Sequence, residues 1–310
     1  MPKAIRYARY GDPEVMTLDD VEMPVPAAGE VRIAIRASGV NAIDWKIRRG
    51  LLANGEAMDE PAGVGMEVAG VVDAVGPGVH HLNRGQAVFG QVPSGAAATH
   101  VLAAAERLIP KPEWLSFEQA AALPVAVETA DRTLRQLDIR SGQTLLIHAV
   151  AGGVGLSAAQ LARARGADVV GTASEPHHPF LRELGVRPAT YGDGWAERVT
   201  ALAPHGVDAV LDASGRGVLP QSVELTGDPG MVITIADTAA EEQGVRFSTS
   251  ADGKPLPDVF ANVLPLVERG ELSMPIAATF PLERAADAHR LSERGHLLGK
   301  IVIVVPQPHS

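Results

Sequence analysis

Over the first 110 residues, apolar and polar side chains alternate in short stretches. Val31, Ile33, Ile35 and Ala37 alternate with Arg32 and Arg36, the period-two sign of a strand with one buried face. Residues 67–75 form a second apolar run, closed by the turn Gly76-Pro77-Gly78. Residues 86–89 and 99–104 read as further short strands. Such strands, with glycine and proline between them, predict a compact barrel-like module.

The period changes after Pro112. Ser116, followed by Phe117, Glu118 and Gln119, has the form of a helix cap. A helical tract then runs to about Leu137, interrupted near Pro124. From Thr144 onward strands and helices alternate. The strands are predicted at 144–149, 167–173, 208–213 and 231–236, with helices after Gly153, Pro176, Gly194 and Gly217. That alternation predicts an α/β domain with a parallel sheet covered on both faces. The chain ends with helices over 257–268 and 282–294 and a strand over 300–305. The domain reading is therefore 1–122 for the first part of a β-rich domain, 123–255 for an inserted α/β domain, and 256–310 for the return.

Composition narrows the chemistry. The 310 residues contain no cysteine, which excludes disulfides, thiolate zinc sites, iron–sulfur ligation and cysteine nucleophiles. The net charge of −10 repels polyanions, so no nucleic-acid partner is expected. No apolar run of membrane-spanning length occurs and residues 1–9 lack a signal-peptide core, so no membrane partner and a cytoplasmic location are expected. The pairs His80-His81 and His177-His178 make poor two-ligand clamps, and no H-E-x-x-H spacing occurs, so no metal is expected. Asp212-Ala-Ser-Gly215 lacks the glycine-flanked elbow of a serine hydrolase. Arg48-Arg49 reads as a solvated surface pair, with a role near the cleft as the alternative.

The strongest chemical signal is an apolar strand, Thr144-Leu-Leu-Ile-His, running into Ala149-Val-Ala-Gly-Gly-Val-Gly155 and then a helix. A pyrophosphate needs close backbone approach and free N–H groups at a helix N-terminus. Ala151, Gly152, Gly153, Val154 and Gly155 are accordingly cofactor-binding candidates. An NAD site places an acid at the end of the second strand. Ser174 stands there instead, with Glu175 one residue on. Ser174 with His177 or His178 suits a 2′-phosphate, so the expected cofactor is NADPH; the alternative has Glu175 gripping a ribose and NADH bound. Ser214 and Ala236, at later strand ends, face the nicotinamide half in this reading. Thr129 completes the cofactor-binding candidates.

Four blocks then carry a resemblance. They are His148-Ala-Val-Ala-Gly-Gly-Val-Gly155, Gly39-Val-Asn-Ala-Ile-Asp44, Val68-Ala-Gly-Val-Val72 with Val75-Gly76 behind it, and Gly299-Lys300-Ile-Val-Ile303. In this order they resemble the zinc-independent quinone oxidoreductase branch of the medium-chain dehydrogenase/reductase superfamily. The resemblance implies a Rossmann dinucleotide-binding domain inserted in a GroES-like β-rich catalytic domain, NADPH, and a homodimer. It also implies a tyrosine near the third Rossmann strand, matched by Tyr191. Zinc-dependent relatives carry a cysteine near residue 41 and a Gly-His-Glu block; this chain has Asn41 and Gly65-Met66-Glu67. The branch commonly has aspartate where Glu67 stands, and a smaller or hydroxylated residue where Trp45 stands.

The expected activity is hydride transfer from NADPH to a small molecule, a quinone or an activated C=C bond. The catalytic candidates are Asn41, Asp44 and Trp45. Asn41 either donates its amide N–H to the developing enolate oxygen or holds the loop before Asp44 by a structural hydrogen bond. Trp45 reshapes the substrate pocket. The alternative is an NADPH-binding protein without turnover, in the manner of lens crystallins that resemble this branch.

Overall fold

The computed structural model describes residues 1–53 and 55–306. In chain order the elements are β1 (Lys3–Tyr7), β2 (Thr17–Asp20), β3 (Glu30–Val40), α1 (Ala42–Arg48), β4 (Ala62–Gly63), β5 (Glu67–Val75), β6 (Ala87–Gln91), β7 (His100–Ala104) and β8 (Leu108–Pro110). Next come α2 (Phe117–Ala121), α3 (Pro124–Gln136), β9 (Thr144–His148), α4 (Gly153–Ala164), β10 (Asp168–Ala173), α5 (His178–Glu183), β11 (Arg187–Thr190) and α6 (Trp195–Leu202). The chain continues with β12 (Ala209–Asp212), α7 (Leu219–Thr226), β13 (Val232–Thr234), β14 (Arg246–Phe247), α8 (Leu256–Glu268), β15 (Ile276–Pro281), α9 (Ala285–Arg294) and β16 (Lys300–Val304).

Two compact units emerge: Met1–Val125 with Pro255–Ala261 and Met274–Ser310, and Ala126–Lys254 with Asn262–Ser273. The expectation from sequence assigned all of 256–310 to the first unit. The second half of α8 and the segment after it belong to the second, because Gln160 of α4 exchanges two hydrogen bonds with Ser273 (2.8 and 2.9 Å). The first half of α8 stays with the first unit, where Phe260 packs edge-on against Phe89 with ring centroids 5.1 Å apart.

In the first unit, β3 is the axis of a seven-stranded sheet. It pairs with β5 along one edge and with β7 and then β16 along the other. The alternation in residues 31–35 is real: Val31, Ile33 and Ile35 have no exposed surface and meet Val68, Val72 and Val88 in one core. The seven-residue helix α1 was not expected, being too short for a helical period to register. It starts where Asp44 Oδ2 accepts the Asn41 N–H at 2.7 Å and ends with Lys46 and Arg48 in the last turn, matching the helix dipole. Arg48 corrects the surface-pair expectation. Its side chain is fully buried, donating to the Gly11 carbonyl at 2.5 Å and to the Glu293 carboxylate of α9. Asp44 and Arg48 lie one helical turn apart, and both face inward.

In the second unit, six parallel strands run in the order β11-β10-β9-β12-β13-β14. From β9 the chain winds outward through β10 and β11, then returns to the other side of β9 with β12. The order reverses beside β9, and open parallel sheets bind ligands at the carboxyl ends of strands at such a point. β9 is buried at every residue, which explains its continuous apolar run. Leu146, at its centre, packs with Val170, Trp195 and Val210. Truncating it leaves a cavity that a parallel sheet closes poorly. Leu146→Ala is expected to lower stability by about 2–5 kcal/mol, read as a shift in the urea midpoint at unchanged slope; a shift below the error of the measurement would show that the site collapses freely.

Candidate functional site

The glycine loop forms a cradle at the end of β9. Ala149 adopts φ 57°, the left-handed region that non-glycine residues seldom enter. This turns the chain so that the Gly152 N–H reaches the Ala149 carbonyl at 3.1 Å. The first helical bond of α4 is Leu156 N–H to Gly152 C=O, 2.8 Å, so the N–H groups of Gly153, Val154 and Gly155 precede the helical ladder. A Cβ on Gly155 would sit 2.5 Å from the Ala149 oxygen and 2.6 Å from the Val150 Cα, whereas one on Gly152 would meet nothing closer than 3.5 Å. Gly155 therefore serves helix packing, and Gly152 leaves open space before the helix. A close-packed loop with bare N–H groups fits a pyrophosphate. These residues would hold it.

Ser174 follows β10 and Tyr191 follows β11. Because Ala173 pairs with Thr190 in register, Ser174 and Tyr191 emerge side by side. His177 ends the single turn after Ser174, its N–H bonded to the Ser174 carbonyl at 3.0 Å. His178, the other histidine considered for a phosphate, is instead buried with its ring against the Ala173 carbonyl at 3.3 Å. One cation here was missed by sequence reasoning. Arg198 of α6 folds back on the carbonyls of Thr190, Tyr191, Gly192 and Asp193 at 2.9–3.3 Å. Among the described residues no carboxylate comes within ion-pair distance of it, so a guanidinium stands at the loop that carries Tyr191.

At the ends of β12 and β13 a buried carboxylate organises the loops. Asp212 accepts from Ser214 N–H (2.8 Å), Ser214 Oγ (2.6 Å), Gly215 N–H (3.2 Å) and Thr234 Oγ1 (2.8 Å). Thr234 Oγ1 in turn accepts the Ala236 N–H at 3.1 Å. Ser214 and Ala236 are thus linked through one network, and its centre, Asp212, was noted only as part of a motif. His148, bonded to Thr172 and Ser222, is pushed down to about 4 by burial, against the pull of Asp212, so its ring is neutral. Thr129 lies on α3, where its hydroxyl accepts from Arg132 at 3.3 Å.

In the first unit, Asn41, Glu67 and Lys300 form a closed triangle. Asn41 Nδ2 donates to Glu67 Oε1 at 2.9 Å, and Lys300 Nζ donates to Glu67 Oε1 at 2.6 Å and to Asn41 Oδ1 at 2.5 Å. Glu67 Oε2 accepts the Val125 N–H at 2.8 Å. Glu67 has no exposed surface and Lys300 only 5%. Gly39 makes this possible: a Cβ there would lie 2.2 Å from Glu67 Oε1 and 2.4 Å from the Ala121 oxygen. The amide bonds of Asn41 thus run to β5 and β16. The start of α1 is held by the Asp44 carboxylate, which accepts the Asn41 N–H.

Asp44 is buried, and its Oδ1 has no hydrogen-bond partner among the described residues. Burial raises it to about 7, against the lowering effect of the Asn41 N–H and Lys300. Trp45 lines a separate surface cavity of about 750 Å³ with Arg49, Phe280, Arg284, Asp287, Arg290, Glu293 and Arg294, all in the first unit. Among the described residues, no three metal-ligating side chains converge and no helix is long and apolar enough to cross a membrane.

Residues 27–113 match the alcohol dehydrogenase GroES-like domain, and residues 187–303 match the family described as zinc-binding dehydrogenase. The rat (Rattus norvegicus) quinone oxidoreductase is 32% identical over 98% of this chain and 98% of its own length. The chain belongs to the quinone oxidoreductase branch of the medium-chain dehydrogenase/reductase superfamily. It is also 37% identical, over 90% of its length, to part of the pikromycin polyketide synthase component PikAII of Streptomyces venezuelae, of which it spans 8%. Among solved structures, the Coxiella burnetii quinone oxidoreductase superposes with a TM-score of 0.88 at 32% identity, covering 98% of this chain and 99% of that one. The CurK enoyl reductase gives 0.88 at 26%, covering 98% and 99%, and the Escherichia coli quinone oxidoreductase complexed with NADPH gives 0.86 at 26%, covering 97% and 99%. The chain is an oxidoreductase of this superfamily.

Gly155→Ala is expected to raise the Kd for a nicotinamide cofactor at least about tenfold, since backbone must move to admit the methyl; an unchanged Kd by titration calorimetry would remove the loop from the cofactor site. Asp44 keeps its proton when folded up to about pH 7 but loses it near pH 4 when unfolded. Its contribution to stability is therefore fully present below pH 4 and lost as pH rises to 7. Asp44→Asn keeps an acceptor for the Asn41 N–H and is expected to flatten the melting temperature between pH 4 and 7 relative to the unsubstituted protein. Parallel curves would show that Asp44 does not titrate there.

Proposed function

We propose that this chain is an NADPH-dependent, zinc-free reductase that acts on a quinone or on an activated C=C bond. The observation that carries the cofactor choice is the paired end of β10 and β11. Ser174 and Tyr191 stand side by side there, with no acid at position 174 and the Arg198 guanidinium bonded to the Tyr191 carbonyl. Hydroxyl donors and a cation suit a 2′-phosphate better than a ribose diol. NADPH in a superposable quinone oxidoreductase supports the same reading.

The zinc-free reading rests on donor chemistry. Asn41 and Met66 are poor replacements for a thiolate and an imidazole, and the buried Lys300 ammonium is bonded to both Asn41 and Glu67. A dication beside that ammonium would be repelled. The substrate class follows from this and from the relatives: oxidising an alcohol needs a Lewis acid or a base for its proton, whereas a quinone or enone needs only a donor for the oxygen that gains charge. Bound NADPH supplies the hydride. Asn41 supplies the donor, with the Nδ2 proton not used by Glu67 directed to that oxygen. Asp44 fixes the Asn41 backbone by capping α1. Solvent provides the proton.

The test is NADPH oxidation against quinones, enones and enoyl thioesters, with and without a chelator. Turnover of at least one class, unchanged by the chelator, is expected. Tight NADPH binding without turnover on any of them would favour the crystallin-like alternative. Ser174→Asp is expected to weaken NADPH binding by a factor of ten or more and to spare NADH, because one charge-assisted hydrogen bond is worth roughly 1.5–3 kcal/mol. Equal losses for both cofactors would move the 2′-phosphate elsewhere.

A further inference from the structure

A carboxamide is nearly symmetric in shape, so its neighbours decide which end points where. At Asn41 two neighbours agree. Lys300 Nζ has only protons to give, and it donates to Oδ1. The Glu67 carboxylate has only lone pairs, and its Oε1 accepts from Nδ2. Lys300 and Glu67 are tied to each other, and the Val125 N–H fixes the second carboxylate oxygen. The Lys300–Glu67 pair lies out of water, where such preferences are strong. Reversing the amide would set its N–H groups against an ammonium and its oxygen against a carboxylate.

We infer that Lys300 and Glu67 are positioning residues, which orient the Asn41 amide so that one Nδ2 proton is held by Glu67 and the other is left for the substrate oxygen. The inference rests on the reading of Asn41 as the oxyanion donor. The second Nδ2 proton makes no hydrogen bond among the described residues, and Asn41 is only half-buried. A buried ion pair is often no more stabilising than apolar residues of the same volume. What the pair adds here is a fixed direction for a group that has none of its own.

The test needs a variant without an orphaned charge. In Glu67→Gln/Lys300→Met both charges go together. The oxygen of the introduced glutamine keeps the Val125 N–H, its amide nitrogen then faces Asn41, and Asn41 has to turn its own oxygen toward that nitrogen. The first readout is nuclear magnetic resonance of the Asn41 side chain in the full-length protein. In the unsubstituted chain one Nδ2 proton is expected downfield, slow to exchange and scalar-coupled to Glu67 Cδ, while its partner exchanges with solvent; the double variant should lose this pattern. The second readout is kinetic. In the double variant kcat is expected to fall about tenfold or more, with NADPH Kd and melting temperature close to those of the unsubstituted chain. Two freely exchanging Asn41 protons in the unsubstituted protein would overturn the orientation. A folded double variant with kcat within about twofold would overturn its role. Absence of turnover in the unsubstituted protein would sink the proposed function but not the orientation, which the spectrum decides by itself. The spectrum also decides it should the double variant fail to fold.

Discussion

A carboxylate without exposed surface has to be satisfied from within, and in the first unit Glu67 imposes that demand on everything around it. It sits at the first residue of β5, paired in register with Gly39 of β3. Any side chain at 39 would displace it. Its charge is met by Lys300 at the start of β16, which joins β3 on the opposite edge. Its remaining acceptor positions are met by Asn41, directly before α1, and by Val125 in the first turn of α3. Five elements thus converge on one buried charge. Losing a single partner would leave the others uncompensated, which costs far more than the intact pair contributes.

The second unit repeats the device at the carboxyl edge of its sheet. Asp212 is buried at the end of β12 and takes its hydrogen bonds from two loop N–H groups and two hydroxyls. In both units a buried acid converts loops into fixed surfaces by holding N–H groups that would otherwise be free to move. The difference lies in the counter-charge. Asp212 has no ammonium beside it, and the nearby His148 stays neutral because burial outweighs the attraction. Hydrogen bonds from the loops and from Thr234 hold that carboxylate.

Much of this architecture was legible in the chain. The strands with one buried face alternate, those buried on both faces run continuously apolar, and the glycine loop falls between a strand and a helix in the required order. Capping at Ser116 is visible because the Gln119 N–H bonds the serine hydroxyl at 3.1 Å. What stayed hidden has a common cause: it depends on partners distant in sequence. Arg48 reads as a surface residue until Glu293, 245 positions away, is placed against it. His178 reads as a phosphate ligand until its ring turns inward onto β10. Lys300 entered only as a letter in a terminal motif, although 233 and 259 positions separate it from the two groups it binds. Pattern analysis sees neighbours along an element; it does not see a charge meeting its counter-charge across a sheet.

The position of that counter-charge bears on the zinc-free reading. Where the resemblance sets the Gly-His-Glu block of zinc-dependent relatives this chain has Gly65-Met66-Glu67, and near their cysteine it has Asn41. The buried Glu67 carboxylate is paired with the Lys300 ammonium at 2.6 Å, and on the zinc-free reading Lys300 is the cation that remains beside it. An ammonium is a weaker electrophile than a metal ion and cannot take a substrate oxygen as a ligand. What it can do is bind the oxygen of an amide and so commit the nitrogen of that amide to donation. On the proposed reading, polarisation of the substrate then falls to an oriented N–H, which would be enough for an oxygen already conjugated to an acceptor π-system and too little for an alcohol that must first lose its proton.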